Sequence, residues 1–362
     1  MKSTLEEHAA LASFISLCSS NKQLRLVADT FDSWEHAWNT PQKDYPQELQ
    51  NQLGDILSKR ENQVLESNSK ILKKHGITVV SESNTNFPTL LKEISGTPHT
   101  LFVRGDTSCL NSRFPIAVVG SRKISSYGKA VLHEIIPPLV RAGATIVSGL
   151  AYGVDSLAHE IALDHGGHCI AVFGSGVDQI YPAEHHALAN RILMSGGSLI
   201  SEQALGTAPL RRNFPARNRI ISGFSKSTLV IEARIKSGSL ITADFALQQN
   251  RDVYAVPGDI FETNQKGTNM LISQGAYPIV SSLDLLERLN LLDSSTGQKI
   301  QRKLIFDSQQ EEDLYHLLST IQSMDDLSEQ SSLDIQVLNQ LLSLMELKGL
   351  IKNLGGMRYI RM

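Results

Sequence analysis

The feature that most constrains the fold of this chain is a series of short apolar runs, each ending in glycine and followed by a helix-like segment. IAVVG lies at 116–120, TIVSG at 145–149 and IAVFG at 170–174, and the related runs SLISE and STLVIEA lie at 198–202 and 227–233. Continuous apolar runs of strand length are typical of parallel strands buried on both faces, which helices connect. The series predicts an α/β fold with an extended Rossmann-like, doubly wound and mostly parallel sheet.

The segments on either side of this series have different patterns. Apolar residues recur three and four positions apart over 1–75, which predicts a helical (SAM-like) domain there and places the Rossmann-like core at 76–290. The polar stretch DSSTGQK at 293–299 predicts a linker. Over 305–362, three helix-like segments precede a hairpin with two glycines at its turn, so we predict a winged-helix-like domain. Within the core, the pair Pro137 and Pro138 predicts a kink or break in the first helix.

Composition narrows the class of protein. The 362 residues carry a formal net charge of −3, and no apolar run approaches the roughly 18 residues that span a bilayer. The first residues, MKSTLEEHAA, have no apolar leader segment, so we expect a cytoplasmic protein without a membrane partner. Cys18, Cys109 and Cys169 show no CxxC spacing, which argues against a disulfide framework or a Cys-rich zinc site and favours free thiols.

Positive charge is concentrated in one short stretch of this slightly acidic chain. Residues 211–219 read RRNFPARNR, with four arginines around one phenylalanine and one proline. Guanidinium groups form paired hydrogen bonds with phosphate oxygens, and Phe214 offers a face on which a base can stack. This combination predicts a nucleic-acid contact. In the alternative interpretation, the phenylalanine lies in the core and the arginines pair with acids such as Glu202 and Glu232.

Two glycine turns at strand ends add to this prediction. Gly120, Ser121 and Arg122 follow the first strand of the series, where unpaired backbone N–H groups, the helix dipole and the arginine favour a phosphate. Gly174 and Gly176 follow the third strand and allow a ligand to approach closely. Neither turn is a GxGxxG fingerprint, and no GxxxxGK[ST] is present, so we predict no nicotinamide or ATP cofactor. In the alternative, the first glycine only shapes its turn and the arginine is simply exposed.

Catalytic patterns are weaker than these binding patterns. The chain contains no HExxH and no GxSxG, and the histidines at 159, 165 and 168 fit a helix face and its end better than a metal site. Asp155, Asp178 and Asp244 flank helix starts, where N-capping is the first explanation. We therefore predict no catalytic residues and no bound metal. Two alternatives stay open: a Rossmann-like enzyme acting on a nucleotide or sugar phosphate, and an adaptor whose core only dimerises.

Several stretches resemble the DNA-processing protein A (DprA/Smf) family. They keep the family's order over about 87–276, and they are FPTLLKEISGTPHTLFVRG, IAVVGSR, VSGLAYGVDSLAH, FGSGVDQIYP, FPARNRIISG, EARIKSGSLITADFALQQNRDVYAVPG and KGTNMLI. The resemblance implies a DNA-binding core that takes single-stranded DNA without sequence preference and without hydrolysing it. It also implies a homodimer that protects incoming strands and loads a RecA-type recombinase on them during natural transformation.

The resemblance also implies particular site residues. The family's pocket uses the arginine of its GSR turn, a basic residue three positions before the phenylalanine of FPxRNR, that phenylalanine, and the glycine turn after the third strand. Together with the patterns above, this predicts a site for single-stranded DNA made of Gly120, Ser121, Arg122, Gly174, Arg211, Phe214, Arg217, Asn218 and Arg219.

Both flanks differ from what DNA binding requires. The N-terminal turn CSSNKQ lacks the glycine with which a helix-hairpin-helix module exposes backbone N–H groups to phosphates. The segment DIQVLNQLLSLMELKG at 334–349 occupies the place of a recognition helix, but it is acidic and leucine-rich. We therefore expect no independent DNA binding by the N-terminal domain, and protein contact or regulation by the C-terminal one.

Overall fold

The protein is described here from a computed structural model, which describes residues 4–18, 20–291, 308–318, 320–331, 333–347, 350–353 and 355–361. The chain forms two compact units, Met1–Leu292 and Asp293–Met362. The predicted linker at 293–299 lies outside the described residues, and the predicted domain boundaries stay predictions.

Five helices form the N-terminal part of the first unit: α1 (Leu5–Leu17), α2 (Asn21–Thr30), α3 (Trp34–Asn39), α4 (Gln47–Leu57) and α5 (Asn62–His75). Ser20 and Ser33 cap α2 and α3 with their side-chain oxygens, as short polar residues at helix starts do. The helices enclose their own aromatic core, in which the Phe14 and Trp38 rings meet edge to face at 5.3 Å. The other side of α1 packs on the sheet through Leu11.

Nine strands form one sheet in the first unit. They are β1 (Ile77–Ser81), β2 (Thr100–Gly105), β3 (Pro115–Val119), β4 (Thr145–Ser148), β5 (Cys169–Phe173), β6 (Ser198–Ser201), β7 (Ser227–Val230), β8 (Asp252–Ala255) and β9 (Tyr277–Pro278). Their order is β1-β2-β6-β5-β4-β3-β7-β8-β9. The β1–β2 and β2–β6 pairs are antiparallel, and the remaining pairs are parallel.

Helices cover both faces of this sheet. They are α6 (Thr89–Lys92), α7 (Ser126–Arg141), α8 (Val154–Asp164), α9 (His186–Met194), α10 (Asn213–Gly223), α11 (Gly238–Gln248), α12 (Lys266–Ser273) and α13 (Ser282–Arg288). Along β3, Ile116 and Val118 enter one apolar core, while Ala117 and Val119 enter the other. Burial on both faces explains the continuous apolar runs of the sequence. The predicted doubly wound, mostly parallel sheet is confirmed.

The first helix of the core is not broken at its proline pair, so the predicted break is wrong, while the alternative of a kink stays a prediction. Pro137 and Pro138 lie inside α7, which continues to Arg141. A proline removes a helical hydrogen bond and crowds the preceding turn. Ile136 and Leu139 are buried on either side of the pair. Packing of this apolar face against the sheet therefore holds the helix together across the prolines.

The second unit has the elements of a winged helix, as predicted. Its helices are α14 (Gln309–Leu317), α15 (Met324–Ser331) and α16 (Ile335–Leu347), and its antiparallel sheet joins β10 (Gln322–Ser323), β12 (Arg358–Arg361) and β11 (Ile351–Asn353) in that order. The turn between β11 and β12 needs positive φ values, which are 86° at Gly355 and 62° at Gly356.

Two structural features bear on the predicted class of protein: the lengths of its apolar helices and the state of its cysteines. Among the described residues, no helix has both the length and the apolar character needed to cross a membrane. All three cysteines are free thiols, with Cys169 buried and the other two half-buried.

Candidate nucleic-acid interface

A cleft of about 740 Å³ opens at the carboxyl ends of the parallel strands. Strands β4 and β7 flank β3, so the chain leaves β3 on one side and later returns on the other. At such a switch point the loops diverge and leave room for a ligand. Most of the cleft is lined by the end of β3 and the turn after it (119–123), by the first turns of α10 and α11, and by the loop after β7.

The turn after β3 is built so that its charged side chains face outward. The Ser121 hydroxyl is buried, and it accepts a hydrogen bond from the Lys123 N–H at 3.1 Å. The Ser121 carbonyl accepts one from Val154 N–H at the start of α8, also at 3.1 Å. A side chain on Gly120 would place its Cβ 2.6 Å from a Val154 methyl group. The turn is therefore closely packed, while Arg122 and Lys123 are exposed.

Phe214 lies in the cleft, in the first turn of α10. Its half-buried ring lies above Gly174, where an added Cβ would come within 3.2 Å of the ring. The Tyr181 ring is 5.5 Å away, and the guanidinium carbons of Arg122 and Arg217 are each 5.9 Å from the Phe214 ring centre. Because Gly174 has no side chain, the Phe214 ring can pack closely over its backbone.

Arg217 forms the floor of the cleft. Only 4% of the residue is exposed, and its Nη1 donates to the carbonyls of Gly149, at 3.1 Å, and Val172. Burial lowers the pKa of Arg217 to about 10, against the attraction of Asp155. A side chain on Gly149 would overlap the guanidinium, since its Cβ would lie 2.5 Å from Nη2. Protein acceptors therefore already hold Nη1 of this guanidinium, and the predicted phosphate role of Arg217 stays a prediction.

The predicted N-capping role of Asp155 is wrong, and its carboxylate instead faces Arg217. It lies within the first turn of α8, whose N-cap is Gly153, so it does not cap the helix. Its carboxylate accepts the Gly149 N–H at 3.1 Å and faces Arg217, while burial raises its pKa. Within the described residues, Asp155 is the only carboxylate that lines the cleft.

Asn218 and Arg219 contribute in different ways. The Asn218 amide lines the cleft and donates to the Gly238 carbonyl at 3.1 Å, which links α10 to the start of α11. Arg219 lies outside the cleft lining and forms an ion pair with Glu202 at 2.6 Å. The alternative prediction of an acid partner therefore fits Arg219 with Glu202. It does not fit Glu232, whose carboxylate accepts the N–H and hydroxyl of Ser125.

Five cationic side chains are exposed around the cleft: Arg122, Lys123, Arg211, Arg234 and Lys236. Across the described ranges, none of the five has a carboxylate within ion-pair distance. Arg234 donates from Nε to the Asn264 amide oxygen at 3.0 Å. The first turns of α10 and α11 also point their positive dipole ends here. The exposed rim of the cleft is therefore strongly cationic.

Of the nine predicted site residues, seven line this cleft, Gly174 lies beneath Phe214, and Arg219 lies outside. Sequence reasoning missed Lys123, Arg234, Lys236 and Tyr181. A usable signal was present for Arg234 and Lys236, because RIKSG at 234–238 follows the strand that pairs with β3 at the switch point. Within the described part of the chain, no group of His, Cys, Asp or Glu is arranged to hold a metal ion.

Residues 78–290 match the family described as DNA recombination-mediator protein A. The chain belongs to that family. Residues 307–357 also match the DprA winged helix domain. The resemblance that the motifs carried is thereby confirmed.

Named members of the family are similar to much of this chain. It is 46% identical over 203 residues to Protein Smf of Escherichia coli (strain K12), covering 56% of this chain and 54% of that protein. It is 40% identical over 217 residues to DNA processing protein DprA of Bacillus subtilis (strain 168), covering 60% and 73%. The match thus spans about half the length of the E. coli relative.

Two solved structures share the fold. DNA processing protein A from Streptococcus pneumoniae superposes with a TM-score of 0.61 at 35% identity, covering 79% of this chain and 98% of that one. DNA processing protein A from Helicobacter pylori superposes with a TM-score of 0.54 at 28% identity, covering 59% and 95%. The H. pylori structure is described as giving insight into a single-stranded DNA binding mode.

Proposed function

We propose that this recombination-mediator family member binds single-stranded DNA in the cleft, without sequence preference and without catalysing a reaction on it. One observation carries the proposal. Exposed cations that have no acidic partner among the described residues, Arg122 and Arg211 among them, surround the aromatic ring of Phe214. Cationic groups beside an aromatic platform are the combination with which proteins bind unpaired strands.

Each kind of group has its own task in this proposal. Arg122 and Arg211 bind phosphate oxygens, Lys236 adds charge along the rim, and Phe214 stacks an unpaired base. In a duplex the faces of the bases are covered by their neighbours, so the ring favours a single strand. None of these contacts reads a base edge, which leaves binding independent of sequence and strongly dependent on salt. The H. pylori relative's described single-strand binding supports this assignment.

The absence of a reaction is also part of the proposal. The one carboxylate of the cleft in the described residues, Asp155, is buried against Arg217 and hydrogen-bonded to backbone. It is poorly placed to act as a general acid or base, which must reach a substrate proton. The alternative, an enzyme acting on a nucleotide or sugar phosphate, would need such a group.

The test is fluorescence-anisotropy binding of a labelled oligo-dT and the matching duplex at low and moderate salt. Wild type should prefer the single strand. Arg211→Ala should weaken binding roughly 10- to 100-fold, and Phe214→Ala about 5- to 100-fold, with folding intact. Failure of the wild type to bind, or unchanged binding by both variants, refutes the proposal. Turnover of nucleotide phosphates by the same preparation would favour the enzyme alternative.

We further propose that the protein acts as a cytoplasmic homodimer in natural transformation, protecting incoming strands and transferring them to a RecA-type recombinase. The family description as a recombination mediator supports this role. A second tethered cleft would raise the effective concentration of binding sites on one strand. Sedimentation should give twice the chain mass, and recombinase filaments should form sooner on coated single strands. A monomer would contradict the proposed dimer. Unchanged filament formation would contradict the proposed transfer of strands to a recombinase.

The C-terminal unit has a different part in the proposal. Helix α16 carries no basic residue over Ile335–Leu347, and its Ile335 and Leu344 are exposed apolar residues. A helix that reads duplex DNA needs cations near phosphates. We therefore assign this unit to protein contact or regulation.

A further inference from the structure

We propose that Tyr181 and Tyr152 continue the base-stacking surface of Phe214, so that the cleft takes successive unpaired bases of one strand. The inference rests on the proposed function and deepens it. It changes the expected number of stacked bases from one, at Phe214, to several successive bases that follow a row of three rings.

Tyr181 is the middle ring of this row. It lines the cleft, and its ring centre is 5.5 Å from that of Phe214 with an angle of 52° between the planes. Although one side packs toward Phe214, 43% of Tyr181 is exposed. An aromatic side chain that is held by a neighbour and still open to solvent can stack a base without first ordering itself.

Tyr152 follows Ala151, which lines the cleft, while Tyr152 itself lies outside the lining, and we place its ring at the far end of the row. Its hydroxyl donates to Glu184 at 2.7 Å, and the His185 ring contacts it edge to face at 5.0 Å. His185 is itself fixed, because its Nδ1 lies 2.8 Å from the Leu150 carbonyl. Tyr152 nevertheless remains 43% exposed. Glu184 and His185 thus hold the Tyr152 ring in place, while a large part of the residue remains open to solvent.

The charges around the row separate bases from phosphates. Arg122 and Arg211 lie on the Phe214 side of the cleft, where they can hold phosphates. At the other end, Tyr152 is bonded to the exposed carboxylate of Glu184. That hydrogen bond raises the pKa of the Tyr152 phenol, and the nearby Tyr181 adds to the effect. A carboxylate repels a phosphate, whereas it does not oppose the stacking of a neutral base.

The test separates stacking from charge by comparing an oligo-dT with an abasic oligomer of the same length and phosphate count. For each protein we would measure the ratio of the two dissociation constants, in which the fraction of folded protein cancels. Wild type should prefer oligo-dT. Tyr181→Leu and Tyr152→Leu should each reduce that preference about 5-fold or more, because stacking contributes a factor of this order per base.

Two control variants sharpen the result. Tyr181→Phe keeps the ring and should keep the wild-type ratio. Tyr127→Leu removes a tyrosine that is 42% exposed, hydrogen-bonded to the Pro257 carbonyl and outside the proposed row of rings, so it should also leave the ratio unchanged. Affinity for the abasic oligomer and the salt dependence should stay at wild-type values in all four variants.

The outcomes distinguish this inference from the proposed function. Unchanged ratios in Tyr181→Leu and Tyr152→Leu, with both oligomers weakened by Arg211→Ala, would overturn the inference and leave the proposed function standing. If the wild type binds neither oligomer, the proposed function itself fails. If the leucine variants lose the abasic oligomer as much as oligo-dT, the rings are structural and the inference is wrong.

Discussion

The cleft of the first unit and the winged helix of the second are both built on folds that can bind nucleic acid, yet their charges are opposite. Over 113–280 the chain has 15 basic and 12 acidic residues, and five exposed cations surround the cleft. Over 305–362 it has 4 basic and 9 acidic residues. In the second unit, Asp325 and Asp326 lie in the first turn of α15, and α16 exposes apolar side chains.

This contrast shows that a fold supplies positions for side chains and that the side chains decide the ligand. A switch point in a parallel sheet offers a crevice, and here the rim of that crevice is cationic. A winged helix offers a helix for the major groove, and here that helix has no cations over Ile335–Leu347. Three further predictions test how far the two units differ.

The largest expected effect is on stability, at the floor of the cleft. Arg217→Ala removes the donor to the Gly149 and Val172 carbonyls and the charge that compensates the buried Asp155, and removing one of two compensating buried charges costs about 3–5 kcal/mol. Hydrogen exchange followed by mass spectrometry should show faster exchange in β3 to β7 and unchanged exchange in α14 and α16. Arg219→Ala, which removes the ion pair with Glu202 nearer the surface, should cost about 1 kcal/mol or less. Equal losses of stability in Arg217→Ala and Arg219→Ala would contradict the assignment of Arg217 to the buried floor of the cleft.

The next effect is on DNA binding, and it compares the two units directly. Arg122→Ala should weaken single-strand binding roughly 10- to 100-fold, because it removes a charge-assisted phosphate contact. It should also reduce the slope of log affinity against log salt by about 0.7, the value for one phosphate of a single strand. The matched change in the second unit, Lys352→Ala with Arg358→Ala, should leave affinity and slope at wild-type values. A salt titration by fluorescence anisotropy measures both, and loss of binding in the double variant would break the comparison.

The smallest effect, taken per pH unit, is the acid sensitivity of the first unit. His159 is fully buried, both of its ring nitrogens lack a hydrogen-bond partner in the described structure, and burial lowers its pKa from 6.5 to about 3. Between these values the unfolded chain binds a proton that the native state excludes. Stability therefore falls as pH falls, by at most about 1.4 kcal/mol per pH unit from this residue.

Urea unfolding at several pH values below 6.5 measures this effect. His159→Leu should flatten the pH dependence of the first unit, and the exchange of α14 and α16 amides should not respond to the substitution. An unchanged pH slope in His159→Leu would mean that other buried groups carry the acid sensitivity.

Much of the architecture follows from local pattern. Continuous apolar runs ending in glycine predict buried parallel strands, because only strands covered on both faces need no polar alternation. The two glycines of the last hairpin predict its turn, because positive φ values favour glycine. The proline pair in α7 is the exception, since its local penalty is outweighed by burial of Ile136 and Leu139, which the local pattern does not measure.

The sequence by itself determined that four arginines and a phenylalanine would lie together after the sheet strand that precedes α10. Only the tertiary structure decided which of them are free. Arg211 and Arg217 are the same residue type six positions apart, yet one is exposed and the other is buried beneath the cleft. Asp155 and Gly149, more than 60 positions earlier in the chain, provide the charge and the space that hold Arg217. Long-range packing sets the environment of a charge, and that environment determines whether a guanidinium binds the protein or remains available to a phosphate.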